Sequence, residues 1–113
     1  MKEIVLYTKP CPINQKYGII NGRNLLTKRY RDAKRDLGLE ILAGWQNETM
    51  LGDVTLNILQ YFGDKRKRDV DGAIKIIMDA MEGIVYENDN QVTELHVYKE
   101  IDKENPRTVI QIL

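Results

Sequence analysis

A single apolar stripe in the second half of the chain sets the strongest constraint on the fold. Apolar residues recur at i, i+3, i+4, i+7, i+8 and i+11, namely Val70, Ala73, Ile74, Ile77, Met78 and Met81. This spacing places all six side chains on one face of an α-helix, which has to be buried against other elements. Gly83 follows the stripe at a position suited to end a helix. The pattern therefore predicts an amphipathic helix over residues 70–81 with its apolar face in the core.

Short runs of β-prone residues predict a sheet for that helix to pack on. We predict strands over residues 3–8, 53–62, 92–99 and 107–113. Pro10 and Pro12 hold the backbone extended after the first strand and prevent a helix there. A turn at residues 103–106 separates the last two strands.

A second helix is predicted between the first two strands. A polar loop containing Gly18 and Gly22 precedes Thr27, whose hydroxyl can cap a helix that extends to about Gly38. Continuation of this helix through residues 39–45 is left open. The order strand, helix, strand, helix, strand, strand predicts a small α/β (α+β) domain, in which a mixed β-sheet packs with about two helices.

Length and composition narrow the class of protein. At 113 residues the chain is expected to form one domain, residues 1–113. It has one cysteine and one histidine, which exclude an internal disulfide, a cysteine-based zinc site and a histidine-rich metal site. The apolar runs are too short to cross a bilayer, and Met1 to Glu3 lead straight into a strand-like run. We therefore expect no membrane segment, no signal peptide and a cytoplasmic location.

The charges are unevenly distributed along the chain. The net charge is zero, but residues 1–71 carry +4 and residues 72–113 carry −4. Six cations and one acid lie between Arg23 and Arg35. Basic segments beside an acidic centre are typical of a nucleic-acid binder. The alternative is that the acidic half offsets the basic half across a fold or dimer contact.

The densest charge lies in residues 64–71, where four consecutive cations, Lys65 to Arg68, run into the carboxylates of Asp69 and Asp71. Cations suit a polyanion, and closely spaced carboxylates suit a hard divalent metal. Together they indicate an enzyme that holds a phosphate backbone and cleaves it with Mg²⁺. The alternative is a solvated loop followed by a helix with acids in its first turn, as the helix dipole favours.

Two further residues bear on a metal site. Lys75 lies four residues after Asp71, on the same helical face, where the alternative role is an ordinary i, i+4 ion pair. A third carboxylate is available in residues 87–91, where Asp89 precedes a predicted strand. On local sequence alone, Asp89 is also a typical turn residue.

The ordered set of these motifs resembles the RusA-like Holliday junction resolvases, which are crossover-junction endodeoxyribonucleases often carried by phages and prophages. The similarity lies in residues 68–71, Lys75, residues 78–81 and residues 88–92. In the first half, residues 12–17 are similar to the family's Pro-Ser-x-Asn-x-x-Tyr. Residues 22–31 are similar to its Gly-Arg segment and helix. The resemblance covers roughly residues 4–99. Two residues depart from the family pattern. Gly72 stands where the family usually has Asn, and Asn88 replaces the first acid of the pair whose second acid is Asp89.

The resemblance implies a role for each matching residue. The metal ligands would be Asp69, Asp71 and Asp89. The metal would be Mg²⁺, with Mn²⁺ as a possible substitute. These three acids and Lys75 would be the catalytic residues. Phosphates would be held by Lys65, Arg66, Lys67, Arg68, Arg23, Lys28 and Arg31, with Asn14 and Tyr17 also at the DNA. Such contacts recognise the form of the DNA more than its sequence and weaken in salt.

The implied activity is resolution of four-way DNA junctions by paired hydrolysis of phosphodiester bonds during recombination or repair. The resemblance also implies a homodimer, which would supply two opposed active sites. Two other classes remain open. One is a non-catalytic module that binds branched DNA, and the other is a protein-interaction domain whose basic and acidic halves pair in an oligomer.

Overall fold

The computed structural model describes residues 1–12 and 15–113 and contains a mixed four-stranded sheet. Its strands are β1 (Lys2–Leu6), β4 (Val54–Phe62), β5 (Val92–Ile101) and β6 (Arg107–Ile112). The order across the sheet is β1-β6-β4-β5. β6 pairs antiparallel with both β1 and β4, whereas β4 and β5 are parallel. The predicted α+β class with a mixed sheet and two α-helices is confirmed.

A separate hairpin lies where the sequence predicted a polar loop. β2 (Tyr17–Ile20) pairs antiparallel with β3 (Arg23–Leu26). The turn between them contains Asn21 at φ 53° and Gly22 at φ 74°, the left-handed backbone of a two-residue hairpin turn. The loop prediction is therefore wrong, and the Asn-Gly dipeptide is the sequence signal that identifies this hairpin.

The first helix, α1 (Lys28–Gly44), includes the continuation that the sequence left open. Thr27 caps it as expected, with its hydroxyl accepting a hydrogen bond from the Tyr30 amide. Leu37 and Ile41 are fully buried on its inner face, so packing carries the helix well past Gly38.

The second helix, α2 (Ile74–Met81), begins one turn later than predicted. Residues 70–73 form a turn, and Val70 is 41% exposed, so the apolar stripe enters the core only from Ala73 onward. Gly83 adopts φ 80° shortly after the end of the helix, consistent with the predicted stop.

The core lies between the helices and one face of the sheet. It joins Tyr30, Leu37 and Ile41 of α1 and the buried face of α2 to alternate residues of the strands, including Ile4, Leu6, Leu56, Ile58 and Ile110. α2 packs closely against α1, and its exposed side, which carries Lys75, faces away from the core. In the described part of the chain, no helix combines the length and apolar character that crossing a bilayer requires.

Candidate active site

The two acids of the charged run lie on a turn that precedes α2. Asp69 and Asp71 are exposed, and their carbonyls accept hydrogen bonds from the amides of Gly72 and Ile74, each at 3.2 Å. The first turn of α2 contains no acidic residue, so the alternative that these acids belong to that turn is wrong. Gly72 leaves room for a side chain, since a Cβ there would come no closer than 3.4 Å, to the Asp69 carbonyl.

Two side chains from the end of the sheet hold the backbone of this turn. The Gln60 amide donates to the Val70 carbonyl at 2.9 Å, and the Lys99 ammonium donates to the Arg68 carbonyl at 2.6 Å. Gln60 is buried and pairs in register with Lys99 across β4 and β5. Because neighbouring strands supply both donors, the sheet fixes the backbone that carries Asp69 and Asp71.

Lys75 lies between two carboxylates. Its ammonium is 3.0 Å from Asp79 and 3.3 Å from Asp89. The hydrogen bonds that Lys75 donates, first to Asp79 and then to Asp89, raise its pKa above the usual value. The i, i+4 partner that Lys75 contacts is thus Asp79, one turn further along α2, whereas the ion pairs of the described residues include none between Lys75 and Asp71.

Asp89 is presented by a short 3₁₀-helix, Asp89–Gln91, just before β5. The Asn88 side chain accepts a hydrogen bond from the Asn90 amide at 3.0 Å, and the Gln91 side chain accepts one from the Asn88 amide at 3.1 Å. This reciprocal capping box fixes the orientation of the turn. Asn88, the departure from the family pattern, therefore acts as a cap beside Asp89.

Asp89 belongs to a cluster of three carboxylates. Asp79, Glu82 and Asp89 each offer an oxygen within 4.8 Å of the others. Hard oxygen donors in partly exposed positions suit a divalent cation such as Mg²⁺. Of the predicted metal ligands, Asp89 belongs to this cluster, whereas Asp69 and Asp71 lie outside it. A metal site formed jointly by Asp69, Asp71 and Asp89 remains a prediction.

The four cations of the basic run, Lys65 to Arg68, differ in their exposure and in their contacts. Arg68 forms an ion pair with Asp64 at 2.9 Å and stacks on the Phe62 ring at 4.3 Å. Arg66 reaches Asp64 at 3.6 Å but is largely exposed, and Lys65 and Lys67 are also exposed. Hydrogen bonds from Arg68, its largest influence, lower the pKa of the Asp64 carboxyl. Arg68 thus helps to order the loop that presents the other three cations.

The remaining predicted DNA contacts lie on the hairpin and on α1. Tyr17 and Arg23 are exposed on β2 and β3. Lys28 pairs loosely with Asp32 at 3.9 Å, and Arg31 donates to the Leu26 carbonyl at 3.1 Å. Asn14 lies outside the described residues.

Sequence reasoning assigned no role to Asp79, Tyr30 or Lys16. The Tyr30 hydroxyl donates to Asp79 at 2.8 Å, and the Lys16 ammonium lies 3.8 Å from the same oxygen. Burial alone would raise the pKa of Asp79, but hydrogen bonds from Lys75 and Tyr30 outweigh it and lower the pKa. Burial, followed by the Asp79 hydrogen bond, raises the pKa of Tyr30. The i, i+4 spacing of Lys75 and Asp79 was the available signal for this group.

Comparison with known proteins places the chain among DNA-cleaving enzymes. A profile of the family described as endodeoxyribonuclease RusA matches residues 9–113. The chain is also similar to the crossover junction endodeoxyribonuclease RusA of Aquifex aeolicus (strain VF5). The two are 27% identical over 116 residues, covering 99% of this chain and 92% of that protein.

Proposed function

Since this chain belongs to the RusA family of endodeoxyribonucleases, we propose that it resolves Holliday junctions by hydrolysing phosphodiester bonds in branched DNA. The observation that carries the proposal is the Lys75 ammonium 3.3 Å from the Asp89 carboxylate. Lys75 and Asp89 belong to two separate sequence motifs that match the family, and the fold brings their charged groups together. We take residues 1–113 as one nuclease domain.

We propose Asp69, Asp71 and Asp89 as the ligands of Mg²⁺, with Mn²⁺ as a substitute. All three are carboxylates, whose oxygens a hard cation prefers, and Asp89 is partly exposed. The metal would lower the pKa of bound water and neutralise charge on the scissile phosphate. The chain itself supplies the fixed turn at residues 69–71 and the capped turn at Asp89.

Lys75 is the proposed catalytic cation. Its ammonium would stabilise the negative charge that develops on the phosphate oxygens in the transition state. A lysine is already protonated at neutral pH, and hydrogen bonds to Asp79 and Asp89 raise the pKa of Lys75 further. Lys75 therefore needs no proton transfer in order to act.

The DNA would be held by the exposed cations of residues 65–67 together with Arg23, Lys28 and Arg31. Arg68 would contribute mainly by ordering the loop. A homodimer would place two such sites for paired cuts in a four-way junction. We further propose that the protein acts in the cytoplasm, in recombination or repair.

Cleavage of a labelled mobile four-way junction tests the proposal. Wild type should cut it only with Mg²⁺ or Mn²⁺, into two nicked duplexes. Asp71→Asn should abolish cleavage while binding of the junction persists or tightens. Asp36→Asn makes the same change at an acid on α1 that pairs with Arg35, and should cleave normally.

The alternative function is a non-catalytic module for branched DNA. Its specific support is that Asp69 and Asp71 lie outside the acidic cluster that contains Asp89. Junction binding without cleavage in either metal would establish it. Failure to bind any DNA at moderate salt would instead favour a protein-interaction domain.

A further inference from the structure

Asp79 is the central residue of a polar network that joins three parts of the chain. It lies on α2 with its side chain only 14% exposed. Its Oδ1 atom is 3.0 Å from the Lys75 ammonium. Its Oδ2 atom accepts a hydrogen bond from the Tyr30 hydroxyl at 2.8 Å and lies 3.8 Å from the Lys16 ammonium.

The partner on α1 is rigidly placed. Tyr30 is 1% exposed, and its amide is bonded to the Thr27 cap. The Lys16 ammonium also lies over the Tyr30 ring, 5.1 Å from its centre. Asp79 is consequently fixed relative to the core, since a buried hydroxyl and a nearby cation hold one of its two oxygens.

Lys75 needs such support because its side chain is long and 46% exposed. A free lysine of this kind samples many rotamers, and fixing it in one of them costs conformational entropy. We propose that Asp79 is a positioning residue, which holds the Lys75 ammonium beside Asp89 through its own hydrogen bond to Tyr30. The catalytic consequence rests on the proposed function, whereas the ordering of Lys75 does not.

The competing role for Asp79 is that of a metal ligand, because it belongs to the carboxylate cluster. Its contacts favour positioning. One oxygen faces Lys75 and the other accepts from Tyr30, so a cation would have to compete with donors already in place. The Glu82 carboxylate also has a donor in place, since it accepts a hydrogen bond from the Asp89 amide at 3.2 Å.

The first test measures the order of Lys75 and does not require cleavage. In ¹³C relaxation measurements on labelled lysine, the Lys75 Cε methylene should be more ordered than that of Lys28, which is 84% exposed. Asp79→Asn should lower the Lys75 order parameter to the Lys28 value, and Tyr30→Phe should lower it in part. An unchanged Lys75 order parameter in Asp79→Asn would overturn the proposal.

Tyr86→Phe is the matched control for Tyr30→Phe. Tyr86 is also fully buried, and its hydroxyl donates at 2.8 Å to the carbonyl of Met78, the neighbour of Asp79 on α2. It therefore loses a comparable buried hydrogen bond without touching the Asp79 carboxylate. Lys75 should remain ordered in this variant. Equal loss of order in both variants would indicate general loosening of α2 and overturn the positioning role.

The second test separates rate from binding. In single-turnover cleavage at saturating Mg²⁺, Asp79→Asn should be slower by about 10- to 100-fold, as misplacement of a reacting group predicts. Junction affinity and the Mg²⁺ concentration for half-maximal rate should stay within about twofold of wild type. A large rise in the required Mg²⁺ would identify Asp79 as a ligand and overturn the proposal. A wild type that never cleaves would refute the proposed function but leave the ordering of Lys75 to be judged by relaxation.

Discussion

Lys75 and Asp89 are 14 residues apart in sequence, yet their charged groups lie 3.3 Å apart. α2 supplies the lysine, and the capped turn before β5 supplies the acid. The chain must therefore reverse between them, and it does so at Gly83, whose amide donates to the Tyr86 carbonyl at 2.7 Å. The proposed site thus depends on the chain reversal at Gly83, which brings Asp89 back to Lys75.

Removal of the Lys75 charge should separate catalysis from binding. We expect Lys75→Met to slow junction cleavage by about 100-fold or more, since it removes a preorganised cation from the site where charge develops. Affinity for the junction should change little, because many other cations contribute to it. Single-turnover kinetics and a binding titration measure the two effects. Lys103→Met, at an exposed position in the turn before β6, serves as the control. Equal loss of affinity and rate would show that Lys75 only binds DNA.

Gly83 allows a direct test of the reversal. At φ 80° an alanine is strained, although no atom lies within 4 Å of its Cβ. We therefore expect Gly83→Ala to lower the free energy of unfolding by about 1–2 kcal/mol. Gly38→Ala, in α1 and also with open space around its Cβ, should instead raise it by up to about 1 kcal/mol. Urea unfolding of the two variants measures the contrast. Similar changes in both would mean that the left-handed backbone at Gly83 is not required.

The fold was largely predictable because burial leaves periodic patterns in the sequence. The alternation of residues 53–62 and the stripe of α2 both match buried faces. The start of α2 was misplaced because Val70 continues the apolar spacing while its carbonyl is bonded to Gln60 on β4. No local pattern records that long-range hydrogen bond.

The site was less accessible to sequence reasoning. Lys75 and Asp89 were identified through ordered motifs, and the structure brings them together. The Tyr30–Asp79 hydrogen bond joins residues 49 apart in sequence, on two helices. Its formation depends on how those helices pack, so a single sequence could identify neither partner as part of the site.

The exposed cations of the basic loop should differ from Arg68 in how they affect DNA binding. Lys67→Ala removes an exposed charge, and we expect the slope of log affinity against log salt to fall in magnitude by about one. Arg68→Ala should additionally lower thermal stability, since it breaks the Asp64 ion pair and the contact with Phe62. Binding titrations over a salt series, with melting curves for each variant, distinguish the two residues. An unchanged slope in Lys67→Ala would remove that residue from the proposed DNA surface.

The Asp79 network should also make stability depend on acid pH. The pKa of Asp79 is lower in the folded protein than its ordinary value of 3.8, so the unfolded chain binds its proton first as the pH falls. The stabilisation is therefore fully present above about pH 4 and is lost as the pH drops through the lower folded pKa. Asp79→Asn lacks this contribution. It should be less stable than wild type at pH 6, and the difference should shrink between pH 4 and pH 2. Urea unfolding midpoints across this range measure the trend, with Asp53→Asn reporting the loss of an exposed carboxylate. A difference that stays constant with pH would show that Asp79 is not held as a charged acceptor by Lys75 and Tyr30.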